Sequence, residues 1–435
     1  MASGGGHDEM DNTRFKTALT INQGDKQFKK PILNILELVE DVLIKILSDL
    51  EVPELLVVES VSKRFQFLTK KTIQLKKATV DERLCEQVVT KGGSLVDFIQ
   101  LFGYGLKKVD ISSFMFYLDI EDDTQVLQGM MMKFAVQFPN IVDFGRVKVK
   151  HLDHILAYVA SFEYVKDIDR SCKLRHFIAV FEVTFEDIKR IRNVQTRSEQ
   201  EAYNLAMKMT NVIAAKIDKV RQLCPVFDEF VFELDSIHLA PLLMSQPTFL
   251  RAYRCLIIAL STMYYCGLKS FKKLTLINEA YHGLLLTRNE PLLGHLSELN
   301  LLKDNGRDIF GDSQSHAENI REMIILAPNI TSLSIWAEKL EDFPVLTGFA
   351  KLEKLSLKIP FEFRTDKEHK KLQKYFDARG SQLKELDITI KDILRPSKVE
   401  LMIAMYCLKL EKLKFNTQSK PSIKNLIKVT TLTHL

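Results

Sequence analysis

Apolar residues near the N-terminus recur at helical spacing in two adjoining segments. In the first segment they form one stripe, made of Val39, Val42, Leu43, Ile46, Leu47 and Leu50. The stripe is too broad for a short isolated helix to leave in water. Pro53 interrupts the pattern and is well placed to open a new helix, after which the spacing resumes at Leu55, Val58, Val61, Phe65 and Leu68. The pattern predicts a packet of two or three short helices, small enough that association is the usual route to stability.

A second pattern recurs along the rest of the chain: an apolar residue, two variable ones, an apolar one, one variable and another apolar one. Its clearest copies begin at Phe271, Leu296, Ile330, Leu352, Leu383 and Leu410, weaker copies begin at Leu106, Ile141, Leu174 and Phe227, and an incomplete copy lies at 432–435. Segments with helical periodicity separate them, at 198–223, 316–326, 367–378 and 399–407. A repeated strand and helix bury a continuous core only by stacking, so the pattern predicts a curved solenoid.

Strand geometry assigns one side of each predicted strand to the concave face of this solenoid. Side chains alternate across a strand, so if the apolar positions point into the core, the residues between them line the concave face in three columns. The first column is Lys273, Glu298, Ser332, Lys354, Glu385 and Lys412; the second is Thr275, Asn300, Ser334, Ser356, Asp387 and Lys414; the third is Ile277, Leu302, Trp336, Lys358, Thr389 and Asn416.

The third column begins with three large apolar residues on successive strands: Ile277, Leu302 and Trp336. Neighbouring strands lie about 4.8 Å apart, so we expect one contiguous patch, rimmed by Lys354 and Lys358. Trp336 is the only tryptophan of the chain and is a natural anchor for a protein partner. We therefore expect the patch to bind a protein. The alternative is that the strands end before the third column and the descending loops cover it.

The two helical segments also carry specific residue identities. They contain Ile46-Leu47-Ser48-Asp49-Leu50, then Glu54-Leu55, then Val61-Ser62-Lys63-Arg64-Phe65, with Leu38-Val39 and Asp41 before them. These residues resemble the F-box, whose pattern runs Leu-Pro-x-Glu, Ile-Leu-Ser-x-Leu, Asp-Leu and Val-Cys-Lys-Arg-Phe or Trp. Val39 stands in place of the proline and Ser62 in place of the cysteine. The alternative interpretation is an ordinary helical cap on the rest of the fold.

The strand-and-helix pattern resembles the leucine-rich-repeat domains that often follow an F-box. Where that family places an inward Asn or Cys, this chain has Glu279, Asp304, Glu338, Pro360, Lys391 and Gln418, so we expect an irregular horseshoe without an asparagine ladder. The expected fold class is α/β, with a short all-helical F-box followed by an irregular leucine-rich-repeat solenoid, its parallel strands on the concave face and its helices on the convex face. The expected divisions are a flexible tail at 1–30, an F-box at 31–78 and a solenoid at 79–435 that ends inside a repeat.

Together the two resemblances imply a non-catalytic substrate receptor of an SCF (Skp, cullin, F-box) ubiquitin ligase. The F-box is expected to bind the Skp adaptor, and through it the cullin ligase, while the repeat domain holds a protein substrate. The implied adaptor-binding residues, some of them also core residues of the packet, are Leu38, Val39, Ile46, Leu47, Leu50, Leu55, Val61, Lys63, Arg64 and Phe65. The expected substrate-binding residues are Ile277, Leu302, Trp336, Lys354 and Lys358. A repeat-domain scaffold that acts without ligase assembly is the alternative, and Val39 is the feature in its favour.

Composition narrows the remaining function classes. The net charge of +5 is small for 435 residues and gives no indication of nucleic-acid binding, and the most apolar window, 255–268, is too short to span a membrane. The six cysteines are scattered without a Cys-x-x-Cys pair, which favours a reducing cytoplasmic or nuclear compartment and argues against a RING-like zinc module. We predict no catalytic site, cofactor or metal; His151 and His154 share a helical spacing but lack a third ligand, and we interpret them as surface histidines.

Overall fold

The computed structural model describes residues 35, 38–76, 79–90, 98, 103–111, 124–164, 171–278, 293–302, 316–337, 341–417 and 433. Within these ranges the chain forms fourteen α-helices and one sheet of eleven strands. The expected α/β class is confirmed at this level.

Three short helices form the N-terminal packet: α1 (Glu40–Ser48), α2 (Val52–Glu59) and α3 (Lys63–Lys76). Pro53 lies in the first turn of α2, as predicted, between the two residues of a capping box, Glu51 and Glu54. The Glu51 backbone N–H donates to Glu54 Oε2 at 2.8 Å, which satisfies one of the backbone groups that a helix start leaves unpaired.

All strand pairs of the sheet are parallel, and the strands follow one another in space in chain order. The strands are β1 (Thr79–Val80), β2 (Lys108–Val109), β3 (Asp143–Lys148), β4 (His176–Glu182), β5 (Glu229–Asp235), β6 (Lys273–Asn278), β7 (Glu298–Leu302), β8 (Ser332–Trp336), β9 (Lys354–Phe363), β10 (Glu385–Ile393) and β11 (Lys412–Thr417). Sequential parallel neighbours need a crossover after every strand, and crossovers of one hand place their helices on one face of a sheet. The arrangement is compatible with a solenoid-like α/β fold.

The remaining helices lie between the strands. They are α4 (Glu82–Thr90), α5 (Thr124–Gln137), α6 (Leu152–Tyr164), α7 (Phe185–Gln195), α8 (Glu199–Leu223), α9 (Ala240–Ser245), α10 (Pro247–Thr262), α11 (His316–Leu326), α12 (Asp342–Leu346), α13 (Asp366–Arg379) and α14 (Pro396–Tyr406). Neighbouring helices pack against each other in sequence, as α11 with α12, α12 with α13 and α13 with α14. The four predicted helical segments are confirmed as α8, α11, α13 and α14.

The apolar pattern locates the strands to the residue. Each of β2 to β11 begins two residues after the first apolar residue of its copy, for the weak copies as well as the clear ones. The incomplete final copy keeps the same register at its one described residue. Thr433 N–H donates to the Glu411 carbonyl at 2.8 Å, as Glu411 N–H does to the Lys384 carbonyl. Only β1 was not predicted.

Burial alternates along the strands. In β7, Leu299 and Leu301 belong to the hydrophobic core, whereas Glu298, Asn300 and Leu302 are half-buried on the opposite side. The core also contains the buried residues of the helices. We call the opposite side of the sheet, which carries the three columns, the open face.

The N-terminal packet shares this core with the sheet. Leu43, Leu47 and Leu55 belong to the same continuous cluster as the strand and helix residues. Gln87 on α4 lies 3.3 Å from Glu51 at the start of α2, which links the packet to the first repeat. The packet therefore closes one end of the sheet.

Candidate functional site

Helix α1 divides its apolar stripe between the core and solvent. Leu43 and Leu47 are buried, whereas Val39, Val42 and Ile46 are 67%, 43% and 43% exposed. The exposed residues are separated by three and four positions, so they lie along one side of the helix. We call Val39, Val42 and Ile46 the α1 apolar face.

Other parts of the packet expose further large apolar side chains. Val57 near the end of α2 is 61% exposed and Val61 in the following turn is 65% exposed. Phe67 and Leu75 on α3 are also mainly exposed. Of these four, only Val61 was among the sequence-predicted adaptor-binding residues; Val57 and Phe67 interrupt the helical stripe, so periodicity alone gave no signal for them.

The remaining sequence-predicted adaptor residues occupy three environments. Leu47, Leu55 and Phe65 are buried inside the packet, where they support its helices without reaching its surface. Leu38, Leu50 and Arg64 are half-buried, and Lys63 is exposed. Arg64 Nη2 donates to the Leu38 carbonyl at 2.6 Å, so this side chain ties the segment that leads into α1 to the start of α3.

The open face brings the predicted apolar patch together. Ile277 pairs with Leu302 in the β6–β7 ladder, and Trp336 pairs with Lys358 in the β8–β9 ladder. The β7–β8 ladder ends at Asn300 and Ser334, so Leu302 and Trp336 each lie two residues past the last paired position of their strands. The strands reach the third column, where Ile277, Leu302 and Trp336 are each half-buried.

The accessible surface of Trp336 is the carbon part of its ring, and the ammonium group of Lys358 lies close to that ring. Its indole Nε1 is buried and forms no hydrogen bond with any residue that the structure describes, so the accessible part of the side chain is apolar. Lys358 Nζ lies 5.7 Å from the ring centroid, within the range of a cation–π contact. Apolar surface and positive charge are therefore adjacent at this position.

A depression of about 470 Å³ lies over the first two columns, from β7 to β11. Its lining residues are Asn300, Ser332, Leu333, Ser334, Lys354, Leu355, Ser356, Glu385, Leu386, Asp387, Lys412, Leu413 and Lys414. The space exists because the columns carry serine on β8 and at Ser356, while β10 and β11 carry long charged side chains.

Charged side chains at the rim of the depression pair across strands. Lys354 and Lys412 lie 2.9 and 3.1 Å from Glu385, and Lys414 lies 3.2 Å from Asp387. The hydrogen bonds from both lysines lower the pKa of Glu385, and the same contact raises the pKa of Lys354. Lys358 forms no ion pair with any residue in the described part of the chain.

A second polar cluster lies on β2, β3 and β4. Asp143 Oδ1 lies 3.0 Å from His176 Nδ1 and accepts the Gly145 N–H at 2.8 Å, and Asp143 Oδ2 lies 3.1 Å from Lys108 Nζ. Burial raises the pKa of Asp143, but these hydrogen bonds outweigh it and lower the pKa to about 2. The Asp143 bond raises the pKa of His176 against the opposing effect of burial. Gly145 has φ of 62°, which favours glycine at this turn of the strand.

The β5 and β6 part of the open face is more deeply buried. The Glu233 side chain is 4% exposed and lies 2.8 Å from Arg146 Nη2. Thr275 donates to Glu229 at 2.7 Å and accepts from Asn300 at 3.0 Å. This region is an internally satisfied polar network.

The described residues contain no group of three or more His, Cys, Asp or Glu side chains that could hold a metal ion. The interpretation of His151 and His154 as surface histidines was wrong: His154 is buried, His151 is half-buried, and their rings pack edge to face at 5.0 Å. They lie where α6 meets the core, so the helix encloses them. Among the described helices none is both long and apolar enough to cross a membrane.

No protein-family model matches the chain, and no curated protein matches it significantly. The resemblances to the F-box and to leucine-rich repeats therefore rest on the residues of their motifs.

Proposed function

We propose that the chain is a substrate receptor of an SCF-type ubiquitin ligase, which binds the Skp adaptor through its N-terminal packet and a protein substrate through the open face of the sheet. The observation that supports the proposal most is the α1 apolar face. Val39, Val42 and Ile46 are large apolar residues that lie in solvent along one side of the same short segment, an arrangement that a protein partner could cover. These residues lie within the segment that resembles the F-box.

The position of the N-terminal packet relative to the sheet supports the same function. The packet and the sheet share one core, so a partner held by α1 and a partner held by the open face would keep a fixed relation. Ligation by proximity needs such a relation, because a substrate lysine must stay near a ubiquitin thioester that another subunit carries. In this proposal the chain itself is not an enzyme.

The proposal places the protein in the cytoplasm or the nucleus, where such ligases act. Its described cysteines Cys85, Cys172, Cys224, Cys255 and Cys407 are all free thiols, which suits a reducing compartment.

Co-purification with the Skp adaptor tests the proposal. The double variant Val42→Asp plus Ile46→Asp changes two exposed side chains and should abolish capture of the adaptor while the fold is kept. Val212→Asp is the matched control, because Val212 is 52% exposed on α8, far along the chain from the packet. Loss of the adaptor in the double variant alone supports the proposal. No adaptor with the wild-type chain would favour the scaffold alternative.

A further inference from the structure

Four lysines border the apolar patch of the open face on one side, and the ion pair of Glu233 with Arg146 borders it on the other. On β9, β10 and β11 the three columns carry the lysines Lys354, Lys358, Lys412 and Lys414 against the two carboxylates Glu385 and Asp387. The ladder on the other side of the patch places Glu233 next to Ile277. The surface therefore changes from apolar to cationic in the direction from β6 to β11.

We propose that this surface binds an extended protein segment in which large apolar residues are followed within about four positions by acidic ones. The apolar residues would lie against Ile277, Leu302 and Trp336, and an acidic side chain would meet Lys358. The inference rests on the proposed function, since it names the class of substrate segment that the receptor would hold.

Distances across the sheet set the spacing in that segment. Three strand intervals separate Ile277 from Lys358, which is about 14 Å at about 4.8 Å per strand. An extended peptide covers that distance with about four residues. A segment that crosses the strands would thus place its apolar residues on β6 to β8 and its acidic residues on β9.

Lys358 is the cation that an acidic side chain can use at least cost. Lys354, Lys412 and Lys414 already contact carboxylates of the chain, so an incoming carboxylate would compete with Glu385 or Asp387 there. Lys358 instead lies over the Trp336 ring. An acidic group that binds Lys358 gains a charge-assisted contact without the loss of an internal ion pair among the described residues.

The depression over the first two columns, which ends two residues before Trp336 on β8, gives room next to the proposed binding surface. Ser332, Ser334 and Ser356 are short polar side chains that line it, so the backbone of a bound segment can approach the sheet and form hydrogen bonds with their hydroxyl groups.

The experiment uses the full chain and two fluorescein-labelled peptides, Gly-Phe-Leu-Glu-Glu-Glu-Gly and Gly-Phe-Leu-Lys-Lys-Lys-Gly. Anisotropy of the label measures affinity, and emission from Trp336 reports the location, because the chain has one tryptophan and unlabelled copies of the peptides have none. We expect the acidic peptide to bind at least ten-fold more tightly than the basic one and to shift the Trp336 emission.

Lys358→Glu should lower the affinity of the chain for the acidic peptide at least ten-fold. Lys208→Glu, at an exposed position on α8, is the matched control and should leave the affinity unchanged. Equal affinities for the two peptides, no anisotropy change up to millimolar chain, or tighter binding of a single-stranded oligonucleotide than of the acidic peptide would each overturn the inference. Adaptor binding measured on the same preparation separates this failure from failure of the proposed function.

Discussion

The N-terminal packet and the open face of the sheet both present side chains that the core leaves at the surface, but their chemistry differs. The α1 apolar face offers Val39, Val42 and Ile46 to water. The open face mainly offers polar groups that satisfy one another across strands, as Glu385 does between Lys354 and Lys412. A paired polar face is stable in water by itself, whereas an apolar face gains free energy when a partner covers it.

The α1 stripe is divided into buried and exposed residues, and variants of the adjacent residues Ile46 and Leu47 test that division. Leu47→Ala should lower the free energy of unfolding by about 3 kcal/mol, because it leaves a cavity in the packet, and Ile46→Ala by less than about 1 kcal/mol. Denaturant titration of both variants measures the difference. Equal losses would mean that both sides of α1 are buried and that the α1 apolar face does not exist.

A second test removes a partner from a buried charge on the open face. Arg146→Ala should destabilise the fold by about 2 kcal/mol, because the Glu233 carboxylate stays buried after one of its partners is lost. The control is Lys148→Ala, because Glu182, the partner of Lys148, is 44% exposed. This variant should lower the free energy of unfolding by less than about 0.5 kcal/mol. Thermal unfolding of both variants measures the difference. A loss for Lys148→Ala as large as that for Arg146→Ala would show that burial does not distinguish the two pairs.

The polar pairing also predicts a pH dependence. Asp143 raises the pKa of His176 above 6.5, so the contribution of the charged histidine is complete below pH 6.5 and is lost as the pH rises through the folded pKa. The pKa of Asp143 is lowered from 3.8 to about 2, so its contribution is present above pH 3.8 and is lost as the pH falls toward 2.

The stability excess of the wild type over His176→Gln should therefore be largest between about pH 4 and 6.5 and smaller at pH 9. Denaturant titration across this range measures it. An excess that grows from pH 6.5 to pH 9 would contradict the assignment of the Asp143–His176 contact.

The smallest expected effect concerns the residue that precedes α1. Val39 has φ of −63° and ψ of 150°, and proline fixes φ near that value. Val39→Pro should therefore stabilise the packet by about 0.5 kcal/mol, because the unfolded chain loses freedom, and should not weaken adaptor binding. Val39→Ala is the control without that restriction. Destabilisation by proline would show that the Val39 backbone N–H is needed in the fold.

The sequence predicted the strands well because their signal is local. Each copy from Leu106 to Leu410 carries apolar residues at fixed spacing, and the strand begins at a constant distance from the first of them. The third-column alignment of Ile277 with Leu302 followed from the same spacing. The sequence did not predict β1, because its two residues, Thr79 and Val80, are too few for a periodic signal.

Other features depend on which elements meet, and local spacing does not encode that. His176 and Asp143 are 33 positions apart. The weak copies at Ile141 and Leu174 place both residues at the start of a strand, but the spacing does not show that β3 and β4 pair directly. The burial of Glu233 depends on the neighbouring strands. Periodicity assigned Val42 and Leu47 to one stripe but did not determine which of them a neighbouring helix would cover.

Titration of the purified full chain with purified Skp adaptor measures whether the α1 apolar face binds the adaptor. We expect that the wild type binds, that Val42→Asp plus Ile46→Asp weakens binding at least 100-fold while the fold is kept, and that Val212→Asp and Lys358→Glu leave the affinity unchanged. Equal affinity of the adaptor for the wild type and the folded double variant, or no binding of the adaptor to the wild type, would contradict this expectation.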